Sequence, residues 1–222
     1  MGRMRSLPAL RSLCAVAVAG LFLAACQSGP GRPTYPDLSY AHLAPIRLNV
    51  ADIQVERVYV SPGTKPNVEQ LFPVRPADAA ERWARDRLKP VGAEGVAVVK
   101  ILQAGVVEVE LPRTSGVRGA FTTDQSERYD GVLEVQIDVS SRARGSTAMV
   151  SSRAQRSRTV AEDVTLNDRE KLWFEMTEAM MNDLNASLER QIYDNFGNFV
   201  ATGSSMPAVP QGGIRATPLP SR

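Results

Sequence analysis

Few side chains in this 222-residue sequence could carry covalent or acid–base chemistry. It contains two cysteines, Cys14 and Cys26, and one histidine, His42. A serine or cysteine hydrolase needs a base that a third group holds in place, and zinc sites draw on Cys and His. No acid neighbours His42 in the sequence, and no Gly-rich phosphate loop occurs. The sequence therefore predicts no catalytic residue, no metal site and no cofactor.

The residues before Cys26 have the layout of a secretory leader. Arg3, Arg5 and Arg11 come before an apolar run, Leu13–Ala25, and no acid precedes Cys26. As a helix this run would measure about 20 Å at 1.5 Å per residue, short of the roughly 30 Å hydrocarbon core of a bilayer. A cleaved signal peptide is therefore predicted here, and not a spanning helix.

The end of the leader, Leu23-Ala24-Ala25-Cys26, resembles the lipobox of bacterial lipoproteins. The resemblance implies that the Cys26 thiol receives a diacylglycerol and that a signal peptidase cleaves between Ala25 and Cys26. The new amino group would take a further chain such as palmitate. Two or three acyl chains hold a protein at a membrane where one chain is marginal. The alternative is an ordinary cysteine at a cleavage site.

Composition divides the sequence into four predicted regions. They are a lipoprotein signal peptide (1–25), a flexible Gly- and Pro-rich tether (26–37), a globular domain (38–200) and a disordered Pro/Gly/Ser-rich tail (201–222). Residues 26–222 carry 23 Lys and Arg against 24 Asp and Glu. This near-neutral charge argues against a nucleic-acid partner, which calls for a strong basic excess.

The residue after the lipidated position bears on location. In many Gram-negative lipoproteins an Asp there retains the protein at the inner membrane, and this sequence has Gln27 instead. The resemblance therefore implies a lipid-anchored protein in the cell envelope, at the outer membrane and facing the periplasm.

The periodicity of the domain begins with a strand and a helix. One long strand is predicted over residues 46–60, bent near Ala51. A helix is predicted to begin near Pro76 and to stop at Pro90, with Trp83 and Leu88 on its buried face.

Further strands and a long helix are predicted after it. A strand over 95–111, broken near Gln103, would bury Val107, Val109 and Leu111. The next would bury Leu133 and its alternate neighbours. A hairpin would lead to a polar edge strand over about 148–158.

The last helix is predicted from Asp168 to Phe196, with Asn167 and Glu170 as a capping box. Its apolar stripe contains Trp173, Met176 and Met180, which would either pack on the sheet or line a lipid groove.

This order of elements predicts an α+β fold, a small mixed or mainly antiparallel sheet with two helices packed on one face. The layout is similar to the auxiliary lipoproteins of ABC-type lipid-transport systems and to the lipopolysaccharide-assembly lipoprotein. The stretches FPVRPADAAERWARDRL and RGAFTTDQSERYD resemble a family of uncharacterised Gram-negative lipoproteins. That family supplies no activity.

Two local features are candidate contact surfaces. One is a basic patch around the last hairpin and edge strand, formed by Arg142, Arg144, Arg153, Arg156 and Arg158. It would meet anionic lipid headgroups or an acidic partner, or else only protect the sheet edge.

The second candidate surface is the loop over residues 113–128, which contains Phe121 and Asp124. Loops of this length are often functional, and Phe121 would anchor a partner or fold under its own loop.

Three functions stay open at this point. The favoured one is a non-enzymatic, membrane-anchored accessory or assembly subunit with an envelope protein partner, in lipid or lipopolysaccharide transport. The second is a lipid-binding carrier with a pocket between helix and sheet. The third is a cell-wall or glycan hydrolase that uses strand carboxylates, which are Glu108, Glu110, Glu134 and Asp138.

Overall fold

Two helices cover one face of a four-stranded sheet in the computed structural model, which describes residues 33–112 and 125–201. In chain order the elements are β1 (Ile46–Leu48), β2 (Asp52–Arg57), α1 (Pro76–Arg87), β3 (Leu88–Pro90), β4 (Val96–Glu110), β5 (Gln125–Ser141), β6 (Ser146–Ala161) and α2 (Leu166–Asn195). The main sheet has the order β2-β4-β5-β6, and only β2 runs parallel to its neighbour. The α+β class predicted from the sequence is confirmed.

The predicted long first strand is two strands that belong to different sheets. β1 pairs in parallel with β3, whereas β2 pairs in parallel with the first half of β4. The prediction of one bent strand over 46–60 was wrong because alternation of side chains identifies extended backbone but not its pairing partner. Leu88, predicted to lie on the helix, is buried in β3.

A β-bulge in β4 reverses the face that its second half buries. The pairing with β5 shifts register between Ile101 and Gln103, so one strand continues where a break was predicted. Ile101 is buried before the bulge, and Ala104 and Val106 are buried after it. The prediction that Val107, Val109 and Leu111 are buried was therefore wrong, since an extra residue inverts the alternation.

The hairpin and the last strand match their predictions. Residues 142–145 form the turn between β5 and β6, and β6 lies at one edge of the sheet. Alternate residues of β5, including Leu133, Val135 and Ile137, are fully buried beneath the helices.

The helices supply the other half of the core. On α1 the indole of Trp83 is fully buried, and Pro76 occupies the first turn, where its missing N–H costs nothing. On α2 the buried stripe recurs every three or four residues, from Trp173 to Ile192. Within residues 33–112 and 125–201, no helix is both long and apolar enough to cross a bilayer.

The start of α2 is capped by Thr165, not by Asn167 as the capping-box pattern predicted. The Thr165 hydroxyl accepts a hydrogen bond from the backbone N–H of Asp168 at 3.1 Å and donates to that residue's carboxylate at 2.7 Å. Both patterns fit the sequence, because two helix-capping residue types lie two positions apart.

This cap yields a direct prediction. Replacing Thr165 by alanine is expected to lower the free energy of unfolding by about 1 kcal/mol, because an amide at the helix start loses its acceptor. The matched control, Asn167→Ala, should have a much smaller effect in the same urea titration. A larger loss of unfolding free energy for Asn167→Ala than for Thr165→Ala would instead identify Asn167 as the cap.

A segment without helix or strand, Tyr35–Ala44, lies along both helices and includes a turn at residues 41–43, and we call it the strap. The Tyr35 hydroxyl donates to the backbone carbonyl of Asn167 near the start of α2 at 3.3 Å. Further along, the carboxylate of Asp86 on α1 accepts from the backbone N–H of Tyr40 at 2.8 Å. The strap is thus held against the helices from the beginning of α2 to the end of α1.

Candidate functional site

The five arginines predicted as a basic patch are spread along the β5–β6 turn and the length of β6. Arg142 and Arg144 lie in the turn, whereas Arg153, Arg156 and Arg158 follow along β6. At about 3.3 Å per residue, the last of them lies roughly 40 Å from the turn. Side chains alternate between the faces of a strand, so Arg153 lies opposite to Arg156 and Arg158. The structure does not bring the five charges together.

Several of these charges already have partners within the body. Arg153 pairs across the sheet with Glu134 at 3.0 Å, and Arg156 pairs with Asp183 on α2. Arg144 donates to the backbone carbonyl of Asn49 at 2.6 Å, and its guanidinium lies over the ring of Phe199, 5.1 Å from the centroid.

Arg142 and Arg158 differ from the other three. Both are exposed, and neither side chain has an ion pair or hydrogen bond with the described residues. Their charge is therefore available to a binding partner.

The remaining predicted site residues lie outside the described residues. These are Ala25 and Cys26 at the cleavage site and Phe121 and Asp124 in the predicted loop. Their roles stay predictions. The end of that loop as predicted, residues 125–128, belongs to β5.

The carboxylates considered for glycoside hydrolysis lie on different faces. Glu108 follows Ala104 and Val106 on the helix-covered face and pairs with Lys65 at 2.6 Å. Glu134 and Asp138 lie on the open face, about 13 Å apart along one strand by rise per residue. Glycosidase pairs lie roughly 5 to 9.5 Å apart, so this arrangement gives the hydrolase hypothesis no support.

The methionines of α2 fill the space above β5. Met176 and Met180 are fully buried, and a Cβ added to Gly131 would lie 2.5 Å from Cε of Met176 and 3.1 Å from the sulfur of Met180. The two methionine side chains therefore lie directly over the glycine and would have to shift to admit a larger residue. These residues form packed core, so they do not support the groove of the carrier hypothesis.

A buried carboxylate that the sequence did not indicate lies against β4, towards the edge of the sheet that is opposite to β6. Glu69 is only 3% exposed. Its carboxylate accepts from the hydroxyls of Tyr59, at 2.8 Å, and Ser61, and from the backbone N–H of Val106 at 3.1 Å. The side chain therefore provides the acceptor that a further strand would offer to β4. A lone acid in a polar connection gives no signal of this role.

Hydrogen bonding keeps this carboxylate ionised. Burial by itself raises the pKa of Glu69, but the hydrogen bonds from Ser61, Tyr59 and Val106 together bring it below the ordinary glutamate value. A cleft of about 60 Å³ lies beside it, lined by Arg57, Arg75 and Gln70 among others. Ligand pockets are typically several times larger, so this cleft is fitted to water-sized occupants.

The Glu69 network predicts a specific pH dependence. Glu69→Gln should lower the free energy of unfolding at pH 7 by about 2 kcal/mol, because charge-assisted hydrogen bonds are lost. A carboxyl whose pKa is lower in the folded than in the unfolded chain stabilises the folded state at pH values above the unfolded-state pKa. That stabilisation is lost as the pH falls through the folded-state pKa. The difference from wild type should therefore shrink on acidification.

Unfolding titrations at several pH values test this prediction. Glu94→Gln, at an exposed position, removes the same charge without a buried partner and should leave stability nearly unchanged. A difference for Glu69→Gln that stays constant with pH would contradict the assigned ionisation.

The described part of the chain contains no group of three or more His, Cys, Asp or Glu side chains placed to hold a metal ion. No family model matches the sequence, and no curated protein matches it either.

Comparison with solved structures gives only weak similarity. A minor lipoprotein from Acinetobacter baumannii is 14% identical with a TM-score of 0.31, over 66% of this chain and 93% of that one. A PelC dodecamer from Paraburkholderia phytofirmans is 12% identical with a TM-score of 0.21, over 64% and 93%. Protein XCC0632 from Xanthomonas campestris, of the DUF330 family, is 8% identical with a TM-score of 0.27, over 68% and 98%. These likenesses are too low to transfer fold or function.

Proposed function

We propose that this protein is a cell-envelope lipoprotein, anchored by acyl chains on Cys26, whose α+β body is a non-catalytic accessory or assembly subunit. The observation that carries this proposal is the sequence Leu23-Ala24-Ala25-Cys26 at the end of a short apolar run that follows three arginines. A run of this length is too short to span a bilayer, so the lipid supplies the attachment.

Features of the body support a role in binding a partner. The methionine stripe is packed core, and the acids on the open sheet face pair with cations, as Asp138 does with Lys100 at 2.9 Å. What the fold offers instead is surface, namely one sheet face that no helix within residues 33–112 and 125–201 covers and one long edge strand. Such surfaces suit protein contacts.

The finer assignment extends the resemblance to lipoproteins. Gln27 in place of an acid favours the outer membrane and its periplasmic face. The order of strands and helices favours a part in lipid or lipopolysaccharide transport.

Purification of the native protein from membranes tests the proposal. Intact mass spectrometry should give a chain that begins at Cys26 and is heavier by its acyl groups. A protein partner should copurify with it after gentle detergent extraction. A protein that retains its leader, or an unmodified Cys26, overturns the anchor. An acylated protein that emerges alone and without lipid overturns the accessory role.

A further inference from the structure

We propose that the free edge of β6 is the docking site for an extended, acidic segment of another protein, which adds a fifth strand to the sheet. Strand addition of this kind uses main-chain hydrogen bonds for affinity and side-chain positions for specificity. The inference rests on the proposed accessory function and specifies how such a subunit holds its partner.

The two edges of the sheet differ in how far their backbone groups are paired. β2 covers only the first half of β4, and the rest of that edge is closed by the connection to α1. The amide of Val68 donates to the carbonyl of Val106 at 2.9 Å, and the amide of Glu108 donates to the carbonyl of Pro66 at 2.8 Å. The Glu69 carboxylate takes the remaining amide, that of Val106. These contacts occupy the N–H and carbonyl of Val106 and the N–H of Glu108 on this edge.

β6 has no such cover among residues 33–112 and 125–201. It is one of the two terminal strands, it is 16 residues long against 6 for β2, and no described strand or bridge pairs with its outer side. Edge strands are commonly protected by shortness, proline, a bulge or charged side chains, and of these β6 has only its arginines. β6 contains no proline, and its pairing with β5 is regular except at the far end, between Gln125 and Glu127. A long regular row of outward backbone donors and acceptors is therefore presented, in which one carbonyl, that of Gln155, accepts from the side chain of Arg156 at 2.9 Å.

The charge of β6 defines the occupant. The strand contains three arginines and no acid. A second copy of this strand would bring arginine towards arginine with no carboxylate on either of the paired strands, and like charges on paired strands are destabilising. An incoming strand that carries Glu or Asp would be attracted instead. Charge complementarity therefore selects an acidic segment over self-association.

Arg158 is the residue expected to select that segment. Arg153 and Arg156 are already paired with Glu134 and Asp183, whereas Arg158 is exposed and has no partner among the described residues. A carboxylate near Arg158 on the added strand would complete an ion pair next to the new backbone hydrogen bonds.

Three synthetic peptides test the proposal on the full-chain protein. The probe is a peptide of about ten residues, the length of a long strand, that alternates valine and glutamate. The second peptide has lysine for glutamate. The third keeps glutamate but is N-methylated at alternate amides, so that it keeps its charge and cannot donate to a sheet edge. Fluorescence anisotropy should show binding of the first peptide only.

Two charge reversals of matched exposure locate the site. Arg158→Glu should weaken binding of the acidic peptide by about tenfold or more, since like charges then face each other. Arg142→Glu makes the same change in the turn, away from the strand, and should bind as wild type does. Hydrogen exchange should slow at β6 amides and stay unchanged at those of β2.

Each contrary outcome overturns the proposal. Equal binding of the N-methylated peptide would mean plain charge attraction without strand addition. No binding of the acidic peptide would remove the docking site. Concentration-dependent dimers that form through β6 would make a second copy the occupant. The peptide assay does not depend on acylation, so its failure is distinguishable from failure of the lipid anchor, which the mass of residue 26 reports separately.

Discussion

Replacing Cys26 by serine is expected to abolish acylation completely and to leave a precursor that still carries residues 1–25. A serine hydroxyl cannot form the thioether to diacylglycerol, and the lipobox resemblance implies that cleavage follows lipidation. The variant should therefore be absent from the outer membrane. Intact mass spectrometry of fractionated membranes measures both effects, as a longer polypeptide without the mass of acyl chains.

The sequence offers an unusually well-matched control for this experiment. Cys14→Ser makes the same atomic change inside the proposed leader, which maturation would remove. Its mature product should have the mass and the location of wild type. Acylated, cleaved protein from the Cys26→Ser variant would contradict the assignment of Cys26.

Replacing Arg87 by alanine is expected to cost about 3–5 kcal/mol of unfolding free energy, the range for breaking a buried ion pair. Arg87 on α1 is only 1% exposed. Its guanidinium pairs with Glu189 on α2 at 2.8 Å, donates to the side-chain oxygen of Asn185 at 3.2 Å and contacts the carbonyl of Ala44 in the strap. Alanine would leave these acceptors in a poorly solvated position.

Thermal unfolding measures this loss. At roughly 2–4 °C per kcal/mol for a domain of this size, the melting temperature should fall by about 10 °C. Arg85→Ala is the control on the same helix, because Arg85 is 65% exposed and makes only an i,i+4 pair with Glu81. It should stay within about 0.5 kcal/mol of wild type. Similar losses in both variants would mean that Arg87 does not join strap and helices.

The elements that the sequence predicts well are those in which one local pattern settles both conformation and burial. The stripe of α2 and the alternation of β5 are of this kind, because many residues repeat the same period. The β5–β6 turn is another, since Gly145 adopts a positive φ of 59° that glycine readily takes.

The failures have a common physical cause, which is that the deciding contact lies far away in sequence. The bulge in β4 depends on its pairing with β5, and nothing near Gln103 states that the alternation will invert. β1 and β2 have similar patterns but obtain partners from different parts of the chain. Local periodicity does not encode either choice.

The buried charged residues were missed for the same reason. Arg87 and Asn185 lie 98 positions apart, and Val106 lies 37 positions from Glu69. An isolated arginine on a helix and an isolated glutamate in a connection are both typical of solvent-exposed positions. Their burial depends on contacts with distant segments, so it can be recognised only in the folded structure.

The strap would determine which end of the body a lipid on Cys26 holds near the membrane. Tyr35 follows Cys26 by nine positions, so the chain between them reaches at most about 30 Å. Tyr35 is held beside the start of α2. A membrane-bound Cys26 would therefore keep the end of the body that contains the start of α2 close to the lipid. The Arg144 turn contacts Phe199 beyond the other end of α2, a helix of 30 residues and about 45 Å. The proposed anchor would therefore hold the Tyr35 end of the body within this reach of the lipid, and it would set no such limit on the Arg144 turn.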